Sequence, residues 1–308
     1  MNEIKIFCPA TIANLSCGFD VLGLCLDNVG DEMIIKKSAL KGVRITKIVG
    51  ANLPLETEKN VAGVAALALL KALNSDAGFE IEIYKKIQAG SGIGSSAASS
   101  AGAVFGINEL LGRPFATKDL VPFAMQGEKL ACGNAHADNV APALLGGFTL
   151  VRSYAPLDII QIESPSELYA TVVHPQIELK TADARSVLKQ NVSLQKAIIQ
   201  WGNLGGLIAG LYTKDYHLIG RSLHDEIVEP LRSVLIPGFD VIKQTALENG
   251  ALGSGISGSG PSIFALSKGK TTAYKIAKAM SEVYDQMQLP YEMHVSRVNP
   301  DGVRIIEN

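Results

Sequence analysis

Gln88-Ala-Gly-Ser-Gly-Ile-Gly-Ser-Ser-Ala-Ala98 is the stretch on which the reading of this 308-residue chain turns. It follows an alternation in which Phe79, Ile81 and Ile83 face one way and Glu80 and Glu82 the other, the pattern of a half-buried strand. It runs into a segment of small residues with helical character. Gly90, Gly92 and Gly94, at alternate positions, let the backbone adopt positive φ and approach a ligand closely. Ser95 and Ser96 then open a helix whose first N–H groups have no partner within the helix and whose dipole favours negative charge. Strand, glycine loop and helix start together describe a phosphate cradle. An ordinary Gly/Ser turn capping a helix is the plainer alternative, but the run is too long and too dense in glycine for a cap alone.

Two common phosphate motifs fail here. A Walker A loop ends in Gly-Lys-Ser/Thr, and no lysine follows Gly94. A dinucleotide fingerprint needs a third glycine where Ser95 stands. A literal Gly-x-Gly-x-x-Gly does occur at Gly253, Gly255 and Gly258, but it is read as part of a loop running on to Gly260-Pro261. It opens no helix, and so is no nicotinamide site.

Composition narrows the class. Hydrophobic residues make up 47% and charged residues 19%, with net charge −2. This describes a globular chain of two-domain size, with no basic field for nucleic acid. The longest apolar run, Val61 to Leu70, falls short of the ~18 residues that span a bilayer. The N-terminal Met1-Asn-Glu-Ile-Lys-Ile carries no signal-peptide pattern, and Cys8, Cys17, Cys25 and Cys132 form no Cys-x-x-Cys pair. A cytoplasmic protein with reduced thiols is expected, Cys132 being a buried spectator.

Strands are expected at Ile4–Phe7, Met33–Lys37, Val43–Ile48 and Phe79–Ile83, and helices at about Asn60–Leu73 and Ser95–Leu111. Thr117 is read as the N-cap of a third helix that carries Glu128. After a strand at Phe148–Arg152, the polar stretch Ser153–Ser166 reads as a boundary. The expected domains are 1–155 and 156–308, with a return of residues about 290–308 to the first left open. The second half reads as a strand at Leu168–His174, helices near Ser193–Tyr212, Tyr216–His224 and Phe239–Asn249, and a strand at Ser262–Leu266. An amphipathic helix follows with Ala273, Ile276, Ala277, Met280, Tyr284 and Met287 on one stripe, then strands at Tyr291–Val295 and Gly302–Ile306.

The glycine loop resembles the ATP-binding signature of the small-molecule kinases grouped with galactokinase, homoserine kinase, mevalonate kinase and phosphomevalonate kinase. Pro9-Ala-Thr-Ile-Ala-Asn-Leu-Ser-Cys-Gly-Phe-Asp20, with Val21-Leu-Gly23, is similar to the first motif of the homoserine kinase branch. His136-Ala-Asp-Asn-Val-Ala-Pro-Ala-Leu-Leu-Gly-Gly147 is close to wording typical of that branch, and Ser257-Gly-Ser-Gly-Pro-Ser262 resembles the family's third motif. The blocks run in order over almost the whole chain. Gln88 stands where proline is usual and Ile93 where leucine or methionine is usual, and neither change removes a donor.

The resemblance implies an α+β fold of two domains, the first like ribosomal protein S5 domain 2 and the second ferredoxin-like. It implies a transferase that uses ATP and Mg2+ to phosphorylate the side-chain hydroxyl of L-homoserine for threonine synthesis, as a homodimer. Gln88, Ala89, Gly90, Ser91, Gly92, Ile93, Gly94, Ser95, Ser96, Ala97 and Ala98 would then hold the nucleotide, with Asn60 near the adenine and Gly258 over the phosphates. Ser96 and Glu128 would be the magnesium ligands.

Charge argues for the acceptor. Asn14 and Asp20 offer oxygens to an ammonium group; Arg185 and Arg232 offer planar forks to a carboxylate. Within Thr181-Ala-Asp-Ala-Arg185 and Glu229-Pro-Leu-Arg232 they match substrate-binding segments of the homoserine kinase branch, with His136 nearby. His136-x-Asp138 is too thin a pattern for zinc. Related kinases assign an aspartate in this block as base. Here Asp138 and Asn139 are adjacent, and the expectation is that Asn139 positions the hydroxyl while Asp138 contributes electrostatically or structurally. A loose transition state needs no dedicated base. The rivals are a sibling kinase of another small alcohol, a diphosphate-dependent decarboxylase and a non-catalytic ligand-binding relative.

Overall fold

A computed structural model describes residues 1–177, 179 and 181–307; the side chain of Cys132 lies outside what is described. The first part of the chain runs β1 (Glu3–Ala13), β2 (Leu22–Ser38), β3 (Gly42–Val49), α1 (Val61–Ala72), β4 (Gly78–Tyr84), α2 (Ser95–Leu110), α3 (Val121–Cys132), α4 (Val140–Leu145), β5 (Phe148–Tyr154) and β6 (Leu157–Ile162). The remainder runs β7 (Leu168–Pro175), α5 (Thr181–Ser186), α6 (Leu194–Thr213), α7 (Tyr216–Ser222), α8 (Glu229–Arg232), α9 (Phe239–Glu248), β8 (Gly253–Ile256), β9 (Ile263–Lys268), α10 (Lys270–Gln286), β10 (Tyr291–Arg297) and β11 (Arg304–Glu307). None of the described helices is long and apolar enough to cross a membrane.

The larger sheet has the order β11-β1-β2-β4-β3, with β5 added to β2 and β6 to β5. β1 and β2 are antiparallel, with Ile4 opposite Ile35 and Ile6 opposite Met33. β3 and β4 are parallel, joined by the α1 crossover, with Ile45 opposite Ile81. The inward residues of these strands and the small residues Ala97, Ala98 and Ala101 of α2 are buried together. Alanines there let α2 lie close on the sheet, which carries its first turn to the mouth of the glycine loop.

The smaller sheet, β10-β7-β9-β8, is antiparallel. Its own core gathers Val173, Phe239, Ile242, Ile263, Ile276, Met280 and Tyr284 from the sheet, α9 and α10. Both sheets in a mixed helix-and-strand chain make the α+β class expected from sequence.

Several local expectations need correction. The polar stretch Ser153–Ser166 contains β6, hydrogen bonded back onto β5, so the chain leaves the larger sheet only after Ile162. The stretch looked like linker because Ala155-Pro156 makes the reversal and the polar Asp158 and Gln161 of β6 stay outside the core, while Ile159 and Ile162 are buried. Thr117 opens a 3₁₀ turn without capping it, and α3 begins later, with Pro122 in its first turn. Gly253 and Gly255 lie in β8, not in a loop. Met287 ends up 44% exposed just beyond α10, while the rest of its stripe is buried. The three shortest α-helices described (α4, α5, α8) and β8 were not read from sequence: each is too short to show a period.

Candidate active site

The glycine loop leaves β4 and enters α2 with Gly90, Gly92 and Gly94 at φ of 79°, 82° and 72°. A side chain at position 92 would meet the Gly260 carbonyl oxygen at 2.5 Å, and one at position 94 would drive into Thr11 Oγ1. Both positions need glycine for conformation and for space. Gly94 is the N-cap of α2 and supplies no side-chain acceptor, so the helix's first N–H groups face open toward a ligand.

The third motif fastens this loop instead of merely covering it. Ser257 Oγ donates to the Gly92 carbonyl at 2.8 Å, and Ser262 Oγ to the Ser91 carbonyl at 2.6 Å. The Gly258 N–H donates to the Ala13 carbonyl at 3.1 Å. The smaller sheet therefore holds the backbone of the phosphate cradle in place.

One cavity of about 550 Å³ joins the loop to the charged residues expected to hold an acceptor. Asn14, Asp20, Ala89, Gly90, Gly92, Gly94, Ser95, Ser96, Glu128, His136, Asp138, Asn139, Thr181, Arg185, Arg232 and Gly258 all line it. Other expected residues do not. Ile93, Ala97 and Ala98 are buried in the core and Ser91 is buried beneath the loop, while Gln88 is exposed. Asn60 is buried as the N-cap of α1, accepting from the Ala62 N–H at 3.0 Å and donating to the Pro54 carbonyl at 2.8 Å. Its neighbours Lys59 and Val61 reach the cavity instead.

At the phosphate end, Ser96 Oγ donates to Glu128 Oε2 at 3.2 Å, bridging α2 and α3. Burial pushes the Glu128 carboxyl up to about 7, against the pull of Ser96 and of Lys85. A hydroxyl and a carboxylate are hard oxygen donors, the set that suits Mg2+ when phosphate and water complete its shell. No cluster of three or more His, Cys, Asp or Glu competes for a metal among the described residues.

At the other end, Arg185 forks onto Asp20, with Nη2–Oδ1 at 2.9 Å and Nη1–Oδ2 at 3.2 Å. Asn14 Oδ1 accepts the Asp20 N–H at 3.0 Å, and Asn14 Nδ2 donates to the Gly258 carbonyl at 2.6 Å. Asn14, Leu15 and Ser16 are consecutive residues with positive φ, an unusual turn that aims Asn14 into the cavity. Arg232 is 2% exposed and donates to the Ala184 and Gly258 carbonyls. Burial, with Arg185 close by, pulls it down to about 10. His136 Nδ1 lies 3.9 Å from Asp20, and burial lowers its basicity.

Asp138 and Asn139 sit between the two ends, at the start of α4. Burial first, then the charges of Asp20 and Glu128, push Asp138 up to about 7. Asn139 Oδ1 accepts from Thr11 Oγ1 at 2.7 Å, which fixes the amide.

Sequence reasoning missed several contributors. The guanidinium groups of Arg185 and Arg232 both lie over the Phe19 ring, 5.5 and 5.1 Å from its centroid. Its place beside Asp20 in the first motif was a usable signal. Tyr154 Oη donates to the Asp20 carbonyl at 2.8 Å from the distant strand β5, which no local pattern reveals. Lys85 and Ser99 lie outside the motifs, and Thr11, though inside the first, gains its partner Asn139 only from the fold.

Comparison with known proteins agrees with this geometry. Models described as the GHMP kinases N terminal domain and GHMP kinases C terminal match residues 60–147 and 207–286. A homoserine kinase of Chloroherpeton thalassium is 46% identical, over 99% of this chain and 100% of that protein. The crystal structure of homoserine kinase from Cytophaga hutchinsonii is 55% identical, with a TM-score of 0.96 over 99% of this chain and 98% of that one. Mevalonate diphosphate decarboxylase from Staphylococcus aureus shares the fold alone, at TM-score 0.72 and 16% identity, over 99% and 98% of the two chains.

Proposed function

Because this chain belongs to the GHMP kinase family, we propose that it is a homoserine kinase, transferring the γ-phosphoryl group of ATP to the side-chain hydroxyl of L-homoserine. The observation that carries the reading is the single cavity in which a phosphate cradle faces two arginines, an aspartate and an asparagine. That set matches an α-amino acid, with its ammonium and carboxylate, and does not match a sugar or a simple hydroxy acid.

In the reaction the homoserine oxygen forms a bond to the γ-phosphorus as the bond to the β-phosphate oxygen breaks. The loop N–H groups and the α2 dipole take up charge on the phosphates. Ser96 and Glu128 would hold Mg2+, which when bound neutralises the phosphate oxygens. Asp20 and Asn14 receive the ammonium group, and Arg185 and Arg232 the carboxylate. Asn139, fixed by Thr11, orients the hydroxyl. Its proton leaves on the transferred phosphoryl group, as a loose transition state allows, and Asp138 acts through its field. The product, O-phospho-L-homoserine, suits a following elimination or replacement of its phosphate, the step that makes threonine.

The setting we propose is the cytoplasm, with the enzyme as a homodimer. Support for the dimer comes from α6, where Leu194, Ile198, Trp201 and Tyr212 are 67%, 56%, 61% and 60% exposed. Sedimentation of the purified protein tests it. ADP release measured with homoserine, mevalonate, galactose and shikimate as acceptors tests the activity: turnover is expected with homoserine, and its absence there would sink the assignment.

A further inference from the structure

Under the glycine loop, Lys85 and Asp31 form an ion pair whose side chains are 2% and 1% exposed. Lys85 follows β4 directly, and its Nζ donates to Asp31 Oδ2, to the Ser95 carbonyl at 2.9 Å and to Ser99 Oγ at 3.2 Å. All three ammonium hydrogens thus have acceptors, two of them in the first turns of α2. Asp31, on β2, uses its other oxygen on the N–H groups of Lys86 and Ile87, at 2.7 and 2.9 Å. Ser95 Oγ closes the circuit on the Ile87 carbonyl at 3.1 Å. Lys85 also lines the cavity wall beside Ser95, Ser96 and Ser99.

A buried ion pair rarely stabilises a fold more than apolar residues of the same shape would, so its value here is sought in geometry. The segment between Ile87 and Ser95 contains three glycines and has much backbone freedom to lose on binding. A loop whose ends are already fixed loses less of it when a ligand arrives.

We propose that the Lys85–Asp31 pair is the positioning device of the phosphate loop, tying the strand that enters it and the helix that leaves it to one point. With both ends held, the loop N–H groups and Ser96 face the terminal phosphates before the nucleotide arrives. The inference rests on the kinase reading above and adds two residues outside its motifs.

The test is binding of a non-hydrolysable ATP analogue with Mg2+, and separately of homoserine, to Asp31→Asn, Lys85→Met and the double variant. Lys86→Met serves as control, because Lys86 pairs with Glu32 at the surface. A misplaced loop is expected to weaken nucleotide binding on the order of 100-fold. Homoserine binding should change by less than about threefold, and the double variant should lose no more than either single one. Either single change strands a buried charge, so the neutral double variant keeps the test readable if the single ones fail to fold. Nucleotide affinity retained in any folded variant, equal loss for both ligands, or losses that add in the double variant would overturn the proposal. Wild-type protein that binds the analogue but leaves homoserine unphosphorylated would overturn the kinase reading alone.

Discussion

Arg185 grips both carboxylate oxygens of Asp20 at 2.9 to 3.2 Å, so the cavity already contains, joined to each other, one cation and one anion of the kind an amino acid carries. A zwitterion entering between them exchanges one internal pair for two pairs with the ligand. The Phe19 ring lies within 5.5 Å of both guanidinium groups and gives each an aromatic face to rest on.

Removing the Asp20 charge should therefore act on the acceptor alone. Hydrogen bonds to charged groups contribute about 1.5–3 kcal/mol, so Asp20→Asn is expected to raise the KM for homoserine roughly 10- to 100-fold. The KM for ATP should not move. Steady-state kinetics with each substrate varied in turn checks this, and an unchanged homoserine KM would make the pair purely structural.

Glu128 links pH to both metal and stability. Burial raises it from 4.5 to about 7, so in the absence of metal the fold favours the protonated acid. A raised carboxyl contributes stability below its unfolded value that is lost as pH rises through the folded one. The Tm without metal is thus expected to fall between about pH 4.5 and 7, with Glu128 contributing no more than about 3 kcal/mol. Magnesium needs the carboxylate, so affinity for Mg·ATP should weaken as pH drops below about 7. Glu128→Gln should lose activity yet melt higher than wild type at pH 8 without metal; a lower melting point would contradict the burial argument.

Asp138 and Asn139 separate by their effects on kcat. Asn139→Ala removes the group that Thr11 fixes and is expected to lower kcat on the order of 100-fold. Asp138→Asn keeps the shape and should retain a measurable rate with a flatter pH profile, since the carboxyl it replaces is raised to about 7. Abolished turnover in Asp138→Asn beside normal turnover in Asn139→Ala would reverse the two roles.

The clasp on the loop can be loosened from the far side. Ser262→Ala leaves the buried Ser91 carbonyl without its 2.6 Å partner and is expected to cost about 1–3 kcal/mol, read as a lower Tm. Gly92→Ala adds a Cβ at φ 82° against the Gly260 carbonyl. It should abolish nucleotide binding while homoserine binding survives, as calorimetry with each ligand would show.

Elements with a clear period were legible in the sequence. The alternation at Phe79–Ile83, the helix from Ser95 and the α10 stripe as far as Tyr284 all sit where the pattern put them. So do the loop glycines, whose freedom to take positive φ is used at all three positions. Motif order brought Asp20, Asp138, Arg185 and Arg232 to one cavity, although no local rule links residues so far apart. What stayed hidden depends on pairing between strands. Lys85 looks like one more lysine until β2 places Asp31 beside it, and Tyr154 looks like a boundary residue until β5 joins β2. Asn60 is a motif position whose side chain caps its own helix, the plainer role that the start of a helix also suggests.

The bonds from Ser257 and Ser262 to the loop also order events in time. β1 pairs with β11, with Ile6 opposite Ile305, and the glycine turn is bonded by serines 165 and 171 residues later. A ribosome would thus have to release the turn between β8 and β9 before the loop could gain these two bonds. A fragment ending before β8 lacks both serines and the Gly258 contact to Ala13, and is expected to show no turnover.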